Sequence, residues 1–546
     1  MSFHKIDKDS VDSITNALDF FQIPPTNVSV SSSKVLEILP SNPLTDTPYH
    51  FKIHSSENFI DLTKCYLFTE FRIRKENANG QLVNITFEEV APIQMIGSTF
   101  INNMRISVNG REIFNSNSLY AYKTYFSHEL SYSQGAKNSH LNAAGYYYDT
   151  STSLESGASF NARKNLFVNS RTAQFISKLD ADLFNQPQYL INHCDIDIEI
   201  LPNETKFVLI APPPTMIVQG VEPPRYHFEV VSCKLYVKKM NLIDGLALDI
   251  AKRLELNPAR YAIRKTTMKP LFISQGRYEF NANLFMDQIP RRIILGLVAN
   301  ADYVGNKERS PFNFQPFRVR EISIIANGRS YPQAPYDLDY GSNRYVRVFH
   351  DMNESIGFSG TYDSNGITYQ QYGKSHCIYV FNLTNSGEDN GGTFDLIKNG
   401  STAVNIKFSQ PVPDGGVMLI VMGLTTYGSV NLENIPEYSE YLRQLGYPPK
   451  KNYTSENFAA PSPFGGNFPS IQLCKETPQD LFGYIFCWGM SCNLSTSINT
   501  LALIVNLDSH DEEGSHWIAL YLEKDQYNQY IDKIHNEKLR TSQYEF

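Results

Sequence analysis

MRISVNGREIF, Met104 to Phe114, is the stretch whose reading decides the fold. Met104, Ile106 and Val108 alternate with Arg105 and Ser107, the period of a strand with one apolar face. Asn109-Gly110 follows, and this pair readily takes the positive φ angles that a two-residue type I′ turn demands. The stretch therefore reads as a hairpin. REISIIANGRSY, Arg320 to Tyr331, repeats it: Ile322, Ile324 and Ala326 share a face, Asn327-Gly328 turns 218 positions later, and Arg329 follows as Arg111 does.

Two further pairs recur in the same order. NSLYAYKTYFSHEL, from Asn117, follows the first hairpin, and NRYVRVFHDM, from Asn343, follows the second. DIDIEILPNETKFVLIAPP, from Asp195, is echoed by AVNIKFSQPVPDGGVMLIVMG, from Ala403: a strand, a loop with proline, then a strongly apolar strand. Offsets between about 208 and 226 are what two copies of one domain with unequal loops would show. The prolines of APPPTMIVQGVEPP, Ala211 to Pro224, interrupt helix and strand alike, so the boundary is expected there. Inside the second unit, NLIDGLALDIAKRLELNPARY carries a helical apolar pattern through Leu246, Ile250 and Leu254.

The rest agrees with an all-β chain. Short runs such as CYLFTEFRI, RYHFEVVSCKLYV and CIYVF alternate with turn residues, which implies sandwiches or barrels. At 546 residues more than one core is required. The formal charge of -8 offers no general attraction to nucleic acid or anionic membrane. The longest apolar run, Gly415 to Gly423, is too short to span a bilayer, and the opening residues lack a signal-peptide stretch, so a soluble intracellular protein is expected. Seven widely spaced cysteines read as core thiols, and the sequons at Asn203 and Asn382 carry little weight without a secretory route.

The order of these pieces resembles the double jelly-roll major capsid proteins of Polinton or Maverick elements and related eukaryotic double-stranded DNA viruses. SITNALDFFQIPPTNVSV resembles their start, and the match continues through PIQMIGSTFINNMRISVNGREI, TAQFISKLDADLFNQPQYLINHCDIDI and QIPRRIILGLVANADYVGNKERSPFNFQPFRVREISIIANGR, over roughly residues 13 to 425. The resemblance implies two tandem eight-stranded jelly rolls, homotrimeric pseudo-hexameric capsomers, a higher capsid lattice, and no cofactor or chemical step. Minor capsid or penton proteins would be further partners, and the virion the location. The expected organisation is an arm over 1–30, rolls over 31–217 and 218–428, a linker with a short helix over 429–470, and a small mixed extension over 471–546. A cellular carbohydrate-binding or scaffolding protein built from two sandwiches is the alternative, followed by a thiol protease.

Candidate chemistry is thin. His50 and His54 can share a strand face, yet no neighbouring carboxylate or cysteine completes a metal site. YGKSH, Tyr372 to His376, lacks a glycine-rich phosphate cradle and reads as an exposed turn. Arg291 and Arg292 read as a solvated strand entry, since phosphate binding recruits a larger basic patch. Tyr120, Tyr122 and Tyr125 suit a core or an interface. The tail TLALIVNLDSHDEEGSHWIALYLEKDQYNQYIDKI, from Thr500, resembles part of an adenovirus-type cysteine protease. That resemblance puts His516 at the base position and Asp532 at the acidic orienter, but the family's nucleophile lies downstream and the last cysteine here is Cys492. A degenerate fragment is expected, with no catalytic residue and no metal. Cys474, Cys487, Cys492 and His510 match no compact zinc spacing. The Asn109-Gly110 and Asn327-Gly328 turns are assigned to architecture.

Overall fold

The computed structural model describes residues 25–86, 88–213, 224–384 and 396–425, parts of 7–23, and the backbone of 428–432, 500–506 and 517–523. The chain divides into two compact units, Met1–Tyr447 and Pro448–Phe546.

Eight strands build the first sandwich: β1 (Val30–Ile38), β2 (Tyr49–His54), β3 (Phe59–Glu76), β4 (Ile101–Val108), β5 (Arg111–Asn115), β6 (Ala173–Lys178), β7 (Asp195–Pro202) and β8 (Tyr226–Leu242). They form antiparallel sheets in the orders β1-β8-β3-β6 and β2-β7-β4-β5, with a short strand Leu82–Asn84 also beside β3. The second sandwich comprises β9 (Thr266–Ile273), β10 (Glu279–Phe285), β11 (Arg292–Ala299), β12 (Val319–Ala326), β13 (Arg329–Tyr331), β14 (Ile378–Asn382), β15 (Thr402–Phe408) and β16 (Val417–Leu424). Its orders are β9-β16-β11-β14 and β10-β15-β12-β13. Adding eight to every strand number of the first sandwich reproduces the second, so the duplication extends to the whole hydrogen-bonded topology.

The two hairpins are β4-β5 and β12-β13. Asn109 and Gly110 have φ of 49° and 77°, and Asn327 and Gly328 have 45° and 76°, the left-handed pair a type I′ turn needs. Each asparagine also fastens its turn to the segment leading into the next strand of the same sheet. The Asn109 Oδ1 accepts the Asp195 N–H at 2.8 Å, and the Asn327 Nδ2 donates to the Asn399 carbonyl at 3.3 Å. Met104, Ile106, Val108, Ile322, Ile324 and Ala326 all point into the core.

Helix α1 (Tyr120–Ser131) follows the first hairpin; α2 (Asp244–Leu256) and α3 (Val346–Ser355) lie further on, α3 following the second hairpin. The entries to α1 and α3 match: Asn117 and Asn343 have φ of 51° and 56°. The residues just before the helices, Leu119 and Tyr345, both have ψ of 19°. The second sequence echo is thus a shared backbone path.

The third echo needs correction. The strands Asp195–Pro202 and Thr402–Phe408 do correspond, but residues 206–210 are not the counterpart of β16. They lie in one helical turn, Thr205–Val208, and a two-residue strand, Leu209–Ile210, beside Ala91–Pro92. The counterpart is β8, beyond the prolines, which pairs with β1 from Leu242↔Val30 to Leu235↔Ile38 and with β3 from Tyr226↔Lys75 to Met240↔Phe59. The boundary expected at residue 217 therefore falls inside the first sandwich, and α2 lies between the sandwiches in sequence rather than inside the second. Prolines interrupt a ladder locally, but a domain ends only where its last strand is paired.

Burial separates the two inner sheets. From Cys65 onward β3 alternates buried with half-buried residues, the pattern of a sheet covered on one face. In contrast, β11 is buried from Ile293 to Val298 and β16 from Val417 to Gly423, so both faces are covered at these two strands, while the edge strand β9 keeps Phe272 exposed.

In the unit Pro448–Phe546, Thr500–Asn506 pairs antiparallel with Trp517–Glu523. His516, Asp532, Cys474, Cys487, Cys492, His510 and the expected helix over 434–450 lie outside the described residues.

Candidate functional site at the junction of the two sandwiches

Polar and titratable groups gather where the sandwiches meet. Helix α1 carries Tyr120, Tyr122, Tyr125 and Phe126, all buried. The Tyr120 hydroxyl and Lys123 hold the helix to the first sandwich: Asp180 N–H donates to the Tyr120 oxygen at 2.9 Å, and the Lys123 ammonium lies 2.8 Å from the Asp180 carboxylate. Burial raises the Asp180 carboxyl, but Lys123 and His128 outweigh it and bring the group down to about 2. The other side of α1 meets the second sandwich. Tyr125 stacks on Phe312 with ring centroids 4.3 Å apart, Phe126 lies 4.9 Å from Phe314, and the Tyr122 hydroxyl donates to the Pro311 carbonyl at 3.2 Å. Space is tight at Gly296 of β11, where a Cβ would sit 2.5 Å from Phe314 and 3.0 Å from Phe126.

Beside this aromatic wedge lies a buried ion pair. The Lys137 ammonium donates to the Glu129 carboxylate at 3.0 Å, to the Glu129 carbonyl at 2.7 Å and, across the junction, to the Asn365 carbonyl at 2.7 Å. The Tyr146 hydroxyl donates to the other Glu129 oxygen at 2.9 Å. Burial pushes the Glu129 carboxyl up; Lys137, His376 and Tyr146 overcome it and hold it below the usual carboxylate range. Further polar ties cross the junction: Gln371 donates to the Asp149 and Ser151 carbonyls at 2.8 and 3.0 Å, and Tyr148 to the Gly366 carbonyl at 2.8 Å. A cavity of about 30 Å³ between Arg163, Ser310, Gln371 and His376 has room for about one water.

This arrangement fixes two bodies together. Among the described residues no group of three or more His, Cys, Asp or Glu could hold a metal ion. Cys65, Cys233 and Cys377 are buried, and burial pushes each thiol up to about 12. No helix among the described residues is long and apolar enough to cross a membrane.

Several residues singled out in the sequence acquire partners the sequence did not reveal. His54 lies 2.7 Å from Asp195 and His50 lies 3.7 Å from Glu199, because β2 and β7 place them directly opposite. These are exposed pairs, each contributing at most about 1 kcal/mol. Arg292 is not a solvated edge: its Nε donates to Asn382 at 2.8 Å, and a further N–H donates to the Ser355 carbonyl, tying β11 to β14 and α3. Arg291 is buried. Of YGKSH, Tyr372, Ser375 and His376 are buried and Lys374 alone is exposed, because a capping box at Thr368 and Gln371 turns the segment inward. Lys137, Glu129 and Asn365 had no sequence signal at all, since their meeting brings together positions 228 residues apart.

No family model matches the chain. An uncharacterized protein of Caenorhabditis elegans is 28% identical over 411 residues, spanning 73% of this chain and 95% of its own length. Among solved structures, a chain of the Sputnik virophage superposes with a TM-score of 0.52 at 13% identity, over 84% of this chain and 99% of that one. The fold is a double jelly roll. The mavirus major capsid protein also aligns, with a TM-score of 0.45 at 12% identity, over 82% of this chain and all of that one. Each sandwich is thus one jelly roll, and the junction described above joins roll to roll.

The junction is acid-sensitive by construction. His128 and His376 flank the ion pair, and burial lowers the pKa of both. Asp180 opposes that at His128 and Glu129 at His376, while Lys137 adds to it at each. Their neutral forms are favoured in the folded chain, so their stabilisation is complete above about pH 6.5, the unfolded value, and is lost as pH falls below it. Each contributes a slope of up to about 1.4 kcal/mol per pH unit. The melting temperature is expected to fall steadily between about pH 6.5 and 5.5. A flat profile over that interval would show that neither imidazole is buried neutral.

Proposed function

We propose that the chain is a major capsid protein, of a Polinton-like element or a related double-stranded DNA virus, that assembles into homotrimeric, pseudo-hexameric capsomers. The observation that carries this reading is the exact repetition of one eight-strand order in two rolls joined by a buried junction. Three such chains present six similar sandwiches, and six equal blocks suit an approximately sixfold lattice. Function then resides in lateral surfaces, and no catalytic step is assigned. Higher lattice contacts, minor capsid or penton proteins as partners, and location in the virion follow from the same reading. The tail from residue 471 is assigned as a degenerate protease fragment, with His516 and Asp532 as its vestiges.

Purification of the full chain, mass measurement and electron imaging test the proposal. Particles of three-chain mass with hexagonal outline are the expected result. A strict monomer across ionic strengths, with the tail and without it, would overturn the reading.

A further inference from the structure

The two rolls share a topology but differ in how their corresponding sheets are covered. In the β9-β16-β11-β14 sheet, β11, β14 and β16 are buried on both faces and only the edge strand β9 keeps residues such as Phe272 exposed; Phe126 of the first roll and Phe314 both reach Gly296. Its counterpart, β1-β8-β3-β6, is buried on the inner face alone. Residues directly opposite in a ladder share a face. The outer face therefore carries one row of Lys178, Tyr66, Tyr236 and Glu37, and a second of Ile176, Phe68 and Lys234. Val35 of the edge strand, 61% exposed, stands opposite Lys238. Aromatic rings on a sheet open to water are an uncovered interface unless something packs on them.

We infer that this face is the docking surface for the second roll of another copy of this chain, centred on its helix α3. The inference rests on the capsid reading and deepens it by naming the contact. The internal repeat supplies the occupant. Within one chain, α1 of the first roll packs toward the second roll's sheet, and α3 is the helix related to α1 by the repeat. Yet α3 leaves Val346 64% exposed, next to an open cleft of about 430 Å³ walled by Phe349, Phe358 and Ile367. Charge agrees. Lys64, Lys178 and Lys238 lie on β3, β6 and β8, and none is in an ion pair among the described residues. Exposed carboxylates of Glu354 and Asp363 flank α3 and its cleft. A basic, aromatic face could also suit nucleic acid, but in the sister roll the same sheet is covered by protein, which favours a second copy.

The test uses the full chain. The variant Val35→Asp/Ile176→Asp changes two exposed side chains, and Leu201→Asp, on an exposed position of β7, serves as control. Sedimentation at increasing concentration is expected to show the association midpoint of the double variant raised at least about tenfold, with the control unchanged and melting temperatures equal. Lys178→Glu is expected to weaken association similarly, and adding Glu354→Lys or Asp363→Lys to it to restore part of the loss. If the native chain associates and the double variant associates equally well, this docking surface is wrong while the capsid reading stands. If the native chain never associates, both fail. If the double variant associates normally but loses binding to a single-stranded DNA oligonucleotide, the face serves nucleic acid and the inference is overturned.

Discussion

Lys137→Met is expected to destabilise the chain by about 3 to 5 kcal/mol, because it leaves the Glu129 carboxylate buried without its cation. The ammonium is wholly buried and donates to groups of both rolls, so the loss falls on the junction as well as on the ion pair. Lys137→Met combined with Glu129→Leu removes both charges and should recover about half of the loss. The remainder reflects the Tyr146 hydroxyl and the Asn365 and Glu129 carbonyls, which lose their bonds to the removed groups. Denaturant midpoints of the two variants and the native chain make the comparison. A single variant within about 1 kcal/mol of the native chain would show that the ammonium is not held in this network.

Phe314→Ala should cost a similar amount, about 3 to 5 kcal/mol. Phe314 is fully buried and contacts Tyr122, Tyr125 and Phe126 of the first roll while lying over Gly296 of the second, so its removal opens a cavity in the wedge. Phe314→Leu fills most of that volume and is expected to cost about 1.5 kcal/mol or less. Backbone amide exchange supplies the specific readout: amides of α1 should lose protection in Phe314→Ala before those of β4 and β7, which lie in the other sheet of the first roll. Uniform loss across the roll would mean that the ring supports the whole core and not the junction in particular.

The hairpins were legible because both of their determinants are local. Alternation through Met104, Ile106 and Val108 sets which face is buried, and Asn-Gly permits the turn; neither depends on distant residues. The α1 and α3 echo was legible for the same reason, although Tyr120, Tyr122 and Tyr125 mix periods and gave no clear helix. The prolines near residue 217 misled, since proline reports a local break and says nothing about which sheet the next strand joins. What assigns Tyr226–Leu242 to the first roll is its pairing with β1 and β3, across separations that local patterning does not encode.

Side-chain chemistry divides along the same line. Acidic partners for His50 and His54 came from β7, through register; the burial of Arg291, Ser375 and His376 came from packing between elements far apart in sequence. The sequence by itself determined the period-two strands, the two left-handed turns and the fact of duplication, because each is written in neighbouring residues. Only the tertiary structure decided where the first roll ends, that Lys137 and Glu129 are buried at a junction, and that β11, β14 and β16 are covered on both faces while the corresponding sheet of the first roll is open on one. Those outcomes depend on non-local strand pairing and on which surfaces remain to be buried once both sandwiches have formed.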